Sequence, residues 1–188
     1  MKYEFTGEVK YIGRKILHRI RAVRDIPEHN VKAGDLGGWI EAERNLSQKG
    51  AAWVADEAWV TGLSLVIGNA LVMGNANIIN TARVTGAAWV TGNACVRGAA
   101  WVTGNAHIMN SADYITINTI KNCNDATTFY RGKDGGIYVA CGRFSGSIDD
   151  FAAKVKEVHA GTKHERTYLL AIALAKAQIG TTEEEDKC

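Results

Sequence analysis

From residue 52 to residue 112 alanine recurs at every sixth position, with Ser64 filling the single gap. Valine or isoleucine follows two residues after each, from Val54 to Ile108, and glycine two further on, replaced by Asp56, Asn80 and Asn110. The unit Ala-x-Val-x-Gly-x therefore repeats ten times without an insertion. A period of six with small and β-branched residues of one parity excludes a helix, whose apolar positions recur at three and four. It fits a short strand whose alanine and valine face one side of the pleat, with a bend at the glycine. Three units close one triangular coil, so the ten units predict a little over three coils. Successive coils stack by parallel pairing roughly 4.8 Å apart.

The repeat resembles the hexapeptide-repeat left-handed β-helix, an exception to the right-handed crossover preference. It departs from that family's usual pattern in placing glycine two residues after the buried aliphatic, not next to it. The fold expected is mainly β: a left-handed parallel β-helix of hexapeptide repeats over residues 51–120. Residues 1–50 supply an N-terminal β-hairpin and a cap for the coil, and 121–180 a small α+β module. An acidic tail covers 181–188. Glycine at 20 residues beside a single proline excludes collagen and a disordered linker, and matches a turn repeated many times.

In the first segment, Lys2–Ile12 and Lys15–Val23 flank Gly13-Arg14, a hairpin turn. Ile16, His18, Ile20 and Ala22 share one face of the second strand, and Lys15, Arg19 and Arg21 the other, with Leu17 and Val23. Those three cations either hold a phosphate or carboxylate or form a solvated edge that guards against aggregation. Gly37-Gly38 permits a tight path, and Trp39-Ile40 is expected to cap the open end of the coil. Beyond the repeat, Tyr114–Ile120 continues the apolar alternation and ends the coil. Thr127–Arg131 and Gly136–Arg143 flank the turn Gly132-Lys-Asp-Gly135, a second hairpin. Ser147 caps a helix with Phe151, Val155 and Val158 as its buried stripe, ended by Gly161. Thr162 and Glu165 form a capping box for a second helix, with Tyr168, Leu169, Ile172, Ala173 and Ile179 as its apolar face.

Read at every third unit, the outward positions align Trp53, Leu71, Trp89 and His107. Trp59, Asn77, Cys95 and Asp113 form the next column, and Leu65, Arg83 and Trp101 the third. Four of the five tryptophans thus fall on the outer wall. Such a stripe is either covered by other parts of the chain or a second protomer, or is a recognition face for a partner or a flat ligand. The densest polar set outside the coil is Arg131, Lys133, His164, Arg166 and Tyr168. Near a helix N-terminus these residues suit an anion, and otherwise make an ordinary solvated helix start.

The coil carries Arg83 and Arg97 against Asp56 and Glu57, so it is nearly uncharged and argues against a nucleic-acid channel. Cys95, Cys123, Cys141 and Cys188 show no CxxC pairing and no metal-ligand spacing. They read as reduced thiols, with no metal and no cofactor. No apolar run is long enough to span a membrane, and MKYEFTGEVKYIGRK lacks the apolar core of a signal peptide, so a cytoplasmic location is expected. His107 is the one histidine on the coil, with no acid at a spacing that would orient it as a base. No Ser-His-Asp or Cys-His arrangement is readable, so no catalytic residue is assigned.

The stretch KAGDLGGWIEAERNLSQ, followed by WVTGNA-type hexads, resembles a family of phage and prophage hexapeptide-repeat proteins. YRGKDGGIYVACGRFSGSIDDFAAKVKEVH with KHERTYLLAI resembles the small C-terminal domain often found in such proteins. The resemblance implies a virus- or prophage-encoded accessory protein in a bacterial cytoplasm, and no catalytic residues. The expectation is a non-enzymatic binding protein, a homodimer or homotrimer, that interferes with a host process, with an immune system as the expected target. It would bind a host protein or sequester a small anionic signal such as a nucleotide. The alternatives are an acyltransferase of the hexapeptide type and a purely structural oligomeric scaffold.

Overall fold

Gly13-Arg14 turns the chain back on itself, pairing β1 (Tyr3–Ile12) antiparallel with β2 (Lys15–Ala22). The computed structural model describes residues 1–120 and 126–180. The hairpin alternation predicted for β2 does not run through. Register shifts between Phe5 and Val9 on β1, and between Arg19 and Arg21 against the next strand, mark bulges. Leu17 and Ile20, of opposite parity, are both fully buried as a result.

The next strand, β3 (Leu36–Ile40), pairs antiparallel with β2 on one side and parallel with a coil strand on the other. Trp39-Ile40 is therefore the first rung of the coil and not merely a lid over it. Ten two-residue strands follow in hexad register. They are β4 (Trp53–Val54), β5 (Trp59–Val60), β6 (Leu65–Val66), β7 (Leu71–Val72), β8 (Asn77–Ile78), β9 (Arg83–Val84), β10 (Trp89–Val90), β11 (Cys95–Val96), β12 (Trp101–Val102) and β13 (His107–Ile108). Stacked parallel, they make three walls: β4-β7-β10-β13, then β5-β8-β11 continuing the β1-β2-β3 sheet, then β6-β9-β12. With β3 and the Leu46–Val66 bridge below them, the β-solenoid has about four turns.

The inward alanines and valines explain why the coil holds. Ala70, Val72, Ala88 and Val90 are all fully buried, as are their counterparts in every coil. Each valine side chain removed from water contributes about 1.5–3 kcal/mol. Ser64, at the one alanine gap, keeps its hydroxyl satisfied by donating to the Thr61 and Ile78 carbonyls. The backbone rungs run from each N–H to a carbonyl of the next coil, as in Asn77 to Ala94 at 2.8 Å and Trp89 to Ala106 at 2.8 Å.

The displaced glycine finds its reason at the corners. Gly86 has φ +68°, and Asp56 and Asn80 take the same left-handed conformation at φ 53° and 68°. Asparagine and aspartate are the L-residues that tolerate it best. Corners also stack closely: a Cβ on Gly86 would lie 2.7 Å from the Gly104 nitrogen. Asn110, the third glycine replacement, does not make a corner. Its φ is −145°, and its side chain caps a 3-10 turn at Ser111–Asp113, where the coil stops.

Each end of the solenoid meets another part of the chain. At the lower end the Lys2 ammonium is fully buried and donates to the Ala52 carbonyl. Burial, helped by the Arg24 charge, lowers its pKa from 10.5 to about 8. At the upper end β14 (Tyr114–Ile117) does not continue the coil. It opens an antiparallel sheet with β15 (Thr127–Arg131), β16 (Ile137–Cys141) and β17 (Phe144–Ser147), in that order. Helices α1 (Ile148–His159) and α2 (Lys163–Ile179) cover this sheet. Phe129 and Val139 of the sheet share a second core with Phe151, Val155, Tyr168 and Ile172 of the helices.

The Ser147 side chain caps α1 by accepting from the Asp150 N–H, and Thr162 caps α2 by accepting from the Glu165 N–H. Glu165 returns its bond to Gly161 and not to Thr162. Val158 and Ala173, expected inside, are exposed. Cys95 and Cys141 are free thiols; Cys123, Cys188 and the tail at 181–188 lie outside the described residues. No described helix is long and apolar enough to cross a membrane.

Gly86→Ala combines left-handed strain of about 1–2 kcal/mol with a backbone collision, whereas Gly98→Ala, at φ +70° with nothing within 4 Å of its Cβ, carries the strain alone. Urea unfolding should show Gly86→Ala costing clearly more than Gly98→Ala; equal losses would contradict the stacked corner. Lys2 releases its proton in the folded state near pH 8 but in the unfolded chain only near 10.5. Stability should therefore rise between those two values, at up to about 1.4 kcal/mol per pH unit. Lys2→Met should remove that rise and stabilise the protein at pH 7; a parallel pH profile for the two proteins would contradict the buried ammonium.

Candidate functional site

The turn that ends β15 folds back onto the solenoid's outer wall. Gly132 bridges Ala106, and the Lys133 N–H donates to the Asn105 carbonyl at 2.9 Å. This places the Lys133 ammonium over the Trp89 ring, 4.7 Å from its centroid. His107 meets the same indole edge-on at 6.1 Å. Lys133, Asn105, Asp134 and Tyr138 then line a cavity of about 310 Å³ beside the wall. The Asp134 carboxylate accepts from the Tyr138 hydroxyl at 2.6 Å and from the Gly136 N–H at 3.0 Å. Those two bonds hold its pKa below the ordinary carboxylate value. Tyr138 in turn stacks on Tyr130, the ring planes 18° apart.

This junction joins a coil tryptophan to a cation from the C-terminal hairpin, two groups that were candidates separately. The sequence reading missed Asn105, Asp134 and Tyr138. The signal available was the Gly-Lys-Asp-Gly turn itself, whose polar residues point to whatever the turn rests on.

The other candidates are placed differently. Trp53 is fully buried, its ring against Gly37, so the chain itself covers this residue. Trp59, Trp89 and Trp101 are half-buried. Trp59 pairs across the sheet with Trp39, and the Trp101 indole donates to the Thr85 hydroxyl at 3.1 Å. The three cations of the N-terminal hairpin do not form a shared anion site. Lys15 pairs with Glu41 at 2.6 Å, Arg19 with Glu57 at 3.0 Å, and Arg21 with Glu4 at 2.6 Å. Arg19 also stacks on Trp39 at 4.9 Å, and Lys10, which sits over the same ring, shares Glu57 with it.

The C-terminal polar set is likewise divided. Arg131 is bound to the buried Asp113 carboxylate at 2.9 Å and to the Ile179 carbonyl. Asp113 was expected in the outward column with Cys95, but the end of the coil turns it inward. There it also accepts from the Met109 and Asn110 N–H groups. Tyr168 is buried against α1, with the His159 ring stacked on it at 5.6 Å and His164 5.9 Å from His159. Arg166 is exposed on α2. Among the described residues no group of three or more His, Cys, Asp or Glu side chains could hold a metal ion.

Comparison with known proteins gives no match, either to a protein-family model or to a curated sequence. The geometry defines a β-solenoid with a sheet-and-helix module docked on its upper end, and an aromatic and cationic cleft between the two.

Removing one partner of the Arg131–Asp113 pair leaves the other buried and uncompensated, at about 3–5 kcal/mol. Arg131→Met should lower thermal stability sharply, whereas Lys133→Met should leave it within about 1 kcal/mol. Similar losses from both would contradict the assignment of Arg131 to structure.

Proposed function

We propose that the protein is a non-enzymatic binding module that holds a small anionic ligand of the nucleotide class. We also propose that, as a phage or prophage product, it acts on a bacterial host process by withdrawing that ligand. The observation that carries this reading is the convergence of Lys133 on Trp89 beside the 310 Å³ cavity. That volume is at the lower end of small-ligand pockets, about 300–1,000 Å³. Lys133, exposed and without an ion-pair partner among the described residues, offers its ammonium to a phosphate. Asp134 retains lone pairs to accept from the ring N–H groups of a base, and the Tyr138 ring supplies a flat apolar wall. The solenoid beneath fixes the spacing of these groups, so little ordering is left to the binding event.

Native mass spectrometry of freshly purified protein, followed by denaturation, should release a phosphorylated compound in a fixed ratio to the chain. Tryptophan fluorescence should titrate with that compound. Lys133→Ala should weaken binding about tenfold or more, the scale of a lost charge-assisted hydrogen bond. Arg166→Ala should not. A protein that binds none of a panel of mono-, di- and cyclic nucleotides, or that binds them unchanged after Lys133→Ala, would contradict the reading. Capture of one host protein, lost in Trp89→Ala, would replace it with a protein target.

A further inference from the structure

The upper edge of the last coil holds a second feature, on a corner away from Lys133. In the coils below, the amide after each corner donates upward: Leu63 N–H to the Asn80 carbonyl at 2.6 Å, and Thr81 N–H to the Gly98 carbonyl at 3.1 Å. Ala99 is the next residue of this column, and there is no coil above it. Three amides along the edge are given substitutes by the segment that follows. Cys95 N–H donates to the Ser111 hydroxyl at 3.1 Å, Arg97 N–H to the Tyr114 hydroxyl at 3.2 Å, and Trp101 N–H to the Thr128 hydroxyl at 3.0 Å. Ala99 N–H has no acceptor among the described residues.

Ala99, exposed at this edge, lines a cleft of about 430 Å³ together with Arg97, Ser111, Tyr114, Thr116 and Asn118. The Arg97 guanidinium has no carboxylate partner among the described residues, and its charge is felt at the Tyr114 hydroxyl. The Tyr114 hydroxyl itself is fully used, accepting from Arg97 N–H and donating to the Cys95 carbonyl at 2.9 Å. Ser111 accepts from Cys95 and keeps its proton to donate. The corner glycine, Gly98, has nothing within 4 Å of where its Cβ would be, so the approach to Ala99 is open.

We infer that this cleft is an oxyanion site in which a phosphate oxygen takes the place of the missing coil's carbonyl at Ala99 N–H. A carbonyl would satisfy the amide alone. The unpaired guanidinium favours an oxygen that carries charge, and its planar fork can engage two such oxygens. The Ser111 hydroxyl donates to another. A tetrahedral phosphate carries more charge than a carboxylate and directs its oxygens out of a single plane, toward amide, guanidinium and hydroxyl together. The site shares no residue with the Lys133 cleft, so it stands or falls separately.

The test is an amide chemical-shift titration of the full chain with inorganic phosphate, with acetate as the carboxylate control. The Ala99 amide should move downfield and saturate at millimolar phosphate, while the rung amides of Asn77 and Trp89 stay fixed. Arg97→Ala should weaken the titration at least about fivefold, and Arg97→Lys should restore part of it. Lys133→Ala should leave it unchanged. A failure of Ala99 to saturate, a titration indifferent to Arg97→Ala, or acetate acting as strongly as phosphate would each overturn the proposal.

Discussion

Everything in this molecule hangs on the backbone rung between one coil and the next, an N–H of the lower coil bonded to a carbonyl of the upper. Two-residue strands are too short to pair stably alone. They hold because each rung is repeated on three walls and because alanine and valine fill the interior with no exposed surface. The rungs in turn need corners that reverse the chain without lifting the coils apart. A residue in the left-handed conformation meets that need, and glycine, aspartate and asparagine, which adopt it most readily, stand at the corners.

A stack of rungs creates its own difficulty at its two ends, where N–H and C=O groups face nothing. Exposed edges of this kind invite association with other chains. Here the lower end is closed by β3 and the buried Lys2 side chain, and the upper end by hydroxyls and a carboxylate. Ser111, Tyr114, Asp113 and Thr128 each stand in for a carbonyl that a further coil would have supplied. The C-terminal sheet is thus positioned by the needs of the coil edge. Its hairpin turn lands on Asn105 for the same reason, bringing Lys133 to Trp89.

The coil was legible from the hexads because a period of six repeated ten times excludes a helix and fits short stacked strands with a bend at each glycine. The two hairpins and the two helices were legible from turn and capping residues that act locally, such as Gly13-Arg14, Ser147 and Thr162. What could not be read depends on contacts between segments far apart. Extrapolating the period placed Asp113 outward, but nothing local says that Asn110 abandons the corner conformation and turns the chain inward. Parity placed Trp53 on the outer wall, yet its side chain is fully buried, its ring against Gly37 on a strand that precedes the repeat. Single-strand parity also failed at the bulges of the first hairpin, which bury Leu17 and Ile20 together. The candidate cleft was half visible: Trp89 and Lys133 each stood out by residue type, and only the docking of one turn on the last coil joins them.

The seating of that hairpin on the solenoid is measured most directly by amide hydrogen exchange. The Lys133 N–H sits in a turn, where an isolated hairpin would exchange it at once. Bonded to the Asn105 carbonyl, it should exchange as slowly as the coil rungs at Trp89 and Thr91, and Asp113→Asn should speed it together with them. A Lys133 amide that exchanges freely while those rungs stay protected would mean that the hairpin is not seated on the solenoid, and the cleft would lose its frame.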